Sequence, residues 1–214
     1  METRSLMLDV SASAGKVSAE YIIPDNAKGI ISLAHGAGAG MNHSFMVVLA
    51  KALADLGIAS LRFNFPFIEQ KKKRPDLPAV AHKTIETAVK DIMKSYPRLP
   101  LYLSGKSFGG RMSSQHLAAH PHPAVKGIIF FGFPLHPVGK PSTDRAEHLK
   151  DVKVPMLFLQ GTRDELATWK LIEQVCSSLK KTTLIKLEGA NHAFKTGKQD
   201  LIPVLAKHAY DWMK

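Results

Sequence analysis

One serine, one aspartate and one histidine of this chain stand where their side chains can act together. Ser107 is the centre of Gly105-Lys106-Ser107-Phe108-Gly109-Gly110, which follows the apolar run Leu101-Tyr102-Leu103 and precedes a helix-like segment, Arg111 to His120. A G-x-S-x-G pattern between a strand and a helix reads as a sharp, strained turn that lifts the serine hydroxyl above the sheet. The flanking glycines leave room for that backbone. Asp164 ends Gly161-Thr162-Arg163-Asp164, just past the apolar run Val154 to Leu159. His192 ends Glu188-Gly189-Ala190-Asn191-His192, just past the run Thr183 to Leu187. A serine hydroxyl needs an adjacent base to become a nucleophile. Histidine suits that task near neutral pH, and a carboxylate fixes its tautomer and stabilises its charged form. Ser107 is therefore the candidate nucleophile, His192 the general base and acid, and Asp164 the orienting acid. Glu165 is the nearest rival acid. A lone serine at this place would read as a helix N-cap; two partners in matching contexts favour chemistry.

A fourth group comes earlier. Ile30 to Ala34 reads as a buried strand, followed by His35-Gly36-Ala37-Gly38-Ala39-Gly40. Glycines in such a loop let backbone N–H groups approach a developing oxyanion. Ala37 and Phe108 are the candidate oxyanion-hole donors, and His35 reads as a brace for the loop. The competing reading is a dinucleotide-binding turn. That fingerprint needs a third glycine where Met41 stands, and an acid where the next strand, Ile58 to Phe63, ends on Arg62, Phe63 and Asn64.

The motifs H-G-A-G-A-G at His35, R-F-N-F-P-F at Arg62, G-K-S-F-G-G at Gly105, G-T-R-D at Gly161 and A-N-H-A-F at Ala190 resemble those of the α/β-hydrolase superfamily. The chain order serine, aspartate, histidine is also that superfamily's order. The resemblance is strongest to its compact dienelactone-hydrolase-like branch, related to the hydrolase-like domain of a chromatin acetyltransferase-complex subunit. It implies an α/β fold with a mostly parallel central sheet, and a serine hydrolase acting on carboxylic esters or thioesters. Dienelactone hydrolases proper carry a cysteine nucleophile, so their substrate is not implied here. The only cysteine, Cys176, falls within an expected helix.

The elements that must position these groups follow from the apolar pattern. Strands are expected at Val17 to Ile23 and near Ile30, Ile58, Leu101, Ile128, Val154 and Thr183. Helices are expected near His43 to Leu56, Ala79 to Tyr96, Ser107 to His120, Leu166 to Leu179 and Gln199 to Met213. Such alternation implies a mostly parallel sheet with helices on both faces, in one domain spanning 1–214. The stretch from Gly132 to Lys153 is too short for a helical cap and holds Pro134, Pro137 and Pro141, so an irregular loop is expected. Phe65 and Phe133, beyond two strand ends, are candidate walls of an apolar substrate pocket.

Composition bounds the function. The 214 residues are 45% hydrophobic, which is globular. No stretch approaches the ~20 apolar residues of a membrane span. No secretory signal is read in Met1 to Lys16, and one cysteine excludes an intramolecular disulfide, so a cytoplasmic setting is expected. The 29 Lys plus Arg against 18 Asp plus Glu give a net charge of +11. The densest run, Lys71-Lys72-Lys73-Arg74, is expected to overhang the site or to be a solvated loop. No zinc spacing, helix-turn-helix or RNP-like strand points to nucleic acid. His116, His120 and His122 lack the glutamate of an H-E-x-x-H motif, so no metal is expected, and a serine mechanism needs no cofactor. The expected partner is a small-molecule ester. The alternative is a hydrolase-fold interaction module that uses its basic surface without turnover. The role of Lys106 is open between packing and positive potential.

Overall fold

Alternating burial along the strands builds a sheet with two apolar faces. The computed structural model describes residues 1–197 and 199–214. An eight-stranded sheet runs in the order β1-β2-β4-β3-β5-β6-β7-β8. Its strands are β1 (Glu2–Ser11), β2 (Gly15–Ile23), β3 (Gly29–Ala34), β4 (Ile58–Phe63), β5 (Leu101–Lys106), β6 (Val125–Phe131), β7 (Met156–Gly161) and β8 (Thr182–Leu187). Strands β3 to β8 pair in parallel, whereas β1 and β2 form an antiparallel hairpin whose β2 docks antiparallel on β4.

Successive side chains of a strand point to opposite faces. In β6, Ile128 and Phe130 enter one core and Ile129 and Phe131 the other; in β7, Met156 and Phe158 oppose Leu157 and Leu159 in the same way. Helices α1 (Ser44–Asp55) and α6 (Ile202–Met213) cover one face with Leu49, Leu53, Leu205 and Ala209. Helices α3 (Pro78–Ser95), α4 (Phe108–Ala119) and α5 (Trp169–Ser178) cover the other with Ile85, Met112 and Ile172. A sheet clad on both faces directs its parallel strands' carboxyl ends toward one rim, where ligands gather in such folds.

Several elements differ from the sequence expectation. β1 falls in a stretch read only for a signal: most of it is exposed and only Leu8 and Val10 are buried, so its alternation is faint. The short helix α2 (Pro66–Glu69) follows β4, and a 3-10 helix (Asp144–Asp151) lies in the segment after β6 expected to be irregular. Gln199 and Asp200, expected to open the last helix, instead form β10 (Gln199–Asp200), which pairs with β9 (Lys195–Thr196). Helix α6 begins only at Ile202. No cap domain stands over the rim among the described residues.

Candidate active site

Ser107 sits between β5 and α4 with φ 51° and ψ −116°. A non-glycine residue at positive φ is strained, and such strain persists only where surroundings over-determine it. Here they do. A Cβ on Gly105 would lie 2.3 Å from Gly110 N, and one on Gly109 would lie 2.4 Å from Ala34 O. Only glycine lets the elbow fold back on its own strand and lie against the end of β3. Ser107 Oγ has no hydrogen-bond partner among the described residues, and the side chain lines a cavity of about 780 Å³.

His192 lines the same cavity. Its Nδ1 is 2.7 Å from Asp164 Oδ2. The Asp164 side chain is only 1% exposed, against 20% for His192. Three donors meet the Asp164 carboxylate: His192 Nδ1–H and Gln160 Nε2–H (2.6 Å) on Oδ2, and Leu166 N–H (2.8 Å) on Oδ1. Donating to Asp164 leaves Nε2 of the imidazole as the acceptor, which is the tautomer a base requires. Glu165, the rival acid, is exposed and lies at the cavity wall without meeting the imidazole. The loops after β7 and β8 are tied to each other: Arg163 N–H donates to Ala190 O and Gly189 N–H to Thr162 Oγ1. A Cβ on Gly161 would lie 2.2 Å from Ala190 O, so glycine is required for that contact too.

The glycine loop after β3 forms the facing wall, with Gly36, Ala37, Gly38 and Ala39 all lining the cavity. A Cβ on Gly36 would be 3.7 Å from Ser107 Cβ, so this loop lies beside the serine. Neither the Ala37 nor the Phe108 backbone N–H has an acceptor among the described residues. His35 is fully buried; its Nδ1 faces Gly36 O at 2.7 Å and its Nε2 accepts the Phe65 N–H at 2.9 Å. Burial draws its pKa down to about 4, so it is neutral and braces the loop.

Residues to which the sequence assigned no such role also hold this wall. Arg62 Nη1–H donates to Met41 O, its Nη2 pairs with Glu20, and Asn64 Oδ1 accepts the Met41 N–H. This explains the R-F-N-F-P-F motif, whose guanidinium is buried and engaged. Gln160 holds the Asp164 carboxylate with one end of its amide and the Phe133 N–H with the other (2.9 Å). A glutamine inside the apolar run Met156 to Gly161 was the available signal, because a buried polar side chain must find partners.

Two expected pocket walls are elsewhere. Phe65 and Phe133 are both fully buried in the core and do not line the cavity. Phe65 packs among Phe63, Phe67, Phe108 and His35, and Phe133 among Phe130, Phe158 and His148. Their apolar character serves the fold; Phe45, Met46, Val48, Leu166 and Ile202 line the cavity instead. Nor does the basic run overhang the site. Lys72, Lys73 and Arg74 border a separate shallow depression with Asp76, Leu77 and Val80. His116 and His120 stack on each other, 5.2 Å between ring centroids, away from the cavity. No helix among the described residues is long and apolar enough to cross a membrane.

Known proteins share this arrangement of elements. The dienelactone hydrolase of Anabaena variabilis superposes with a TM-score of 0.78 at 19% identity, covering 100% of this chain and 98% of that one. A serine hydrolase without lid from Xanthomonas campestris superposes with a TM-score of 0.77 at 21% identity, covering 100% of this chain and 95% of that one. A Mycobacterium tuberculosis protein with the provisional name phosphoribosyl transferase is 25% identical over 210 residues. That match takes in 96% of this chain but 45% of the relative, so the chain spans about half the length of the curated protein it matches. The family model described as alpha/beta hydrolase domain matches residues 27–203, from just before β3 into the start of α6. This stretch holds the elbow, both loops that meet at Asp164 and His192, and the glycine wall, and the chain belongs to the α/β hydrolase domain family.

Proposed function

We propose that this protein is a serine hydrolase that cleaves carboxylic esters or thioesters of small substrates through an acyl-enzyme. The observation that carries this reading is His192, held 2.7 Å from the buried Asp164 carboxylate, in the wall of the cavity that Ser107 also lines. In the proposed reaction Ser107 Oγ attacks the substrate carbonyl carbon as His192 Nε2 takes the hydroxyl proton. Asp164 stabilises the imidazolium formed. The carbonyl oxygen becomes an oxyanion held by the Phe108 and Ala37 N–H groups. Collapse expels an alcohol or thiol, which leaves with the proton from His192. Water then attacks the acyl-Ser107 ester, giving its proton to His192, and the second collapse returns that proton to Ser107 and releases the carboxylic acid. The absence of a direct Ser107–His192 hydrogen bond is compatible with this sequence, since catalytic hydrogen bonds tighten when substrate arrives.

The lidless and dienelactone hydrolases that share the fold support a hydrolytic reading. The transferase name belongs to a protein of which this chain matches 45%, and that activity is not carried over. The test is labelling by a fluorophosphonate probe with Ser107→Ala as control, followed by a panel of nitrophenyl esters of increasing acyl length. Labelling abolished by the substitution, with turnover of short acyl esters, is expected. A folded wild type that takes no label would instead favour an interaction module working through the basic surface.

A further inference from the structure

Lys106 immediately precedes the candidate nucleophile, yet its side chain reaches the loop of the candidate base. Its Nζ donates to the His192 carbonyl oxygen at 2.5 Å. On the way the ammonium passes two aromatic rings, 5.7 Å from the Phe45 centroid and 4.9 Å from that of Phe194. Those rings, from α1 and from just beyond His192, stack on each other at 5.9 Å. A cation held against aromatic faces and bonded to a carbonyl is fixed at both its charge and its donor. Gly132, at the end of β6, makes room for it: a Cβ there would lie 3.3 Å from Lys106 Nζ and 3.5 Å from His192 Cε1. One side chain therefore joins the nucleophile's own strand to the backbone of the base.

We propose that Lys106 is a positioning residue that latches the His192 loop to the nucleophile elbow. The inference rests on the reading of Ser107 and His192 as nucleophile and base. Among the described residues, no other hydrogen bond joins this loop to the elbow. Asn191 Oδ1 accepts the Ala193 and Lys195 N–H groups and shapes the turn internally, and the Arg163–Ala190 bond ties its near end to the acid loop. Neither reaches the elbow. Burial draws the Lys106 pKa down to about 8, and the Asp164 carboxylate opposes that fall. The side chain is thus still mostly a charged donor at neutral pH.

The experiment compares Lys106→Met and Lys106→Arg with wild type in three readouts: nitrophenyl ester kinetics, the rate of fluorophosphonate labelling, and amide hydrogen exchange across 190–196. A base misplaced by a fraction of an ångström slows proton transfer without weakening substrate binding. Lys106→Met is expected to lower kcat and the labelling rate by about 10- to 100-fold at nearly unchanged KM. It is also expected to speed exchange of the loop amides. Lys106→Arg keeps a cation and donors and is expected to restore most of both. Wild-type rates and exchange in Lys106→Met would overturn the latch, as would a loss confined to KM, which would mark a substrate contact. A wild type that takes no label, with the loop still loosened in Lys106→Met, would remove the hydrolase reading and leave the latch. Unchanged exchange would remove the latch whatever the labelling shows.

Discussion

Gly109→Ala tests the geometry on which the proposed oxyanion hole depends. The added methyl would meet Ala34 O at 2.4 Å, Ala34 C at 2.6 Å and His35 O at 2.6 Å. All three are backbone atoms and cannot rotate aside. Ordinary van der Waals contact requires the first separation to open by about 1 Å. That movement pushes the elbow, with the Phe108 N–H, away from the β3 end that carries Ala37. An oxyanion donor works only within ~2.7–3.1 Å of the charge it stabilises, and loss of one costs about 3–4 kcal/mol, or about 10²- to 10³-fold in kcat. Gly109→Ala is therefore expected to lower kcat on nitrophenyl acetate by about 100-fold or more with little change in KM. Gly38→Ala is the control. It lies in the glycine loop that carries Ala37, but its Cβ would have nothing within 4 Å and its φ is not in the left-handed region. Its kcat is expected to stay within about twofold of wild type. Circular dichroism and the urea midpoint verify that both variants fold. A folded Gly109→Ala protein with wild-type kcat would refute the claim that elbow and glycine wall work as one unit.

Asp164→Asn, read by steady-state kinetics, is expected to reduce kcat by roughly 10⁴-fold, while Glu165→Gln leaves it almost unchanged, since only Asp164 meets His192. Phe133→Ala is expected to destabilise the fold by about 3–5 kcal/mol in urea titration while leaving the ratio of short to long acyl turnover unchanged, because the ring is in the core. Acid is expected to destabilise the protein between pH 6.5 and 4. His35 has a pKa lowered from 6.5 to about 4 in the native state, so over that range the unfolded chain binds a proton that the native protein does not. The stabilisation is complete above pH 6.5 and falls with pH, by about 3 kcal/mol for His35 at pH 4. His116 and His148, also lowered to about 4, act in the same direction. A urea midpoint equal at pH 7 and pH 4.5 would contradict this.

The elbow, the order of the polar residues and the alternation of strands and helices could be read in the sequence because each is a local signal. Ser107 between two glycines, and Asp164 and His192 past apolar runs, need no tertiary knowledge. What escaped depends on which residues meet across the fold. Phe65 and Phe133 carry the same apolar signal whether they face a cavity or the core, and only the direction of the chain beyond each strand decides between them. Gln160, Arg62 and Asn64 act through partners at Asp164, Glu20 and Met41, none of them adjacent in sequence. Lys106 was undecided because its carbonyl partner lies 86 residues away. β1 was faint because an edge strand wet on most of its surface needs few apolar residues.

The segment between β6 and β7 is short, and its one helical element, Asp144–Asp151, packs against α4 on the sheet face away from α1 and α6. No cap domain is found among the described residues, so in the proposed reaction no lid has to swing aside before an ester reaches Ser107. Under the proposed hydrolase reading, turnover is expected to start without a lag, to owe nothing to an oil–water boundary, and to extend to acyl groups tethered to a bead or a polymer, where an enzyme that must close over its substrate would stall.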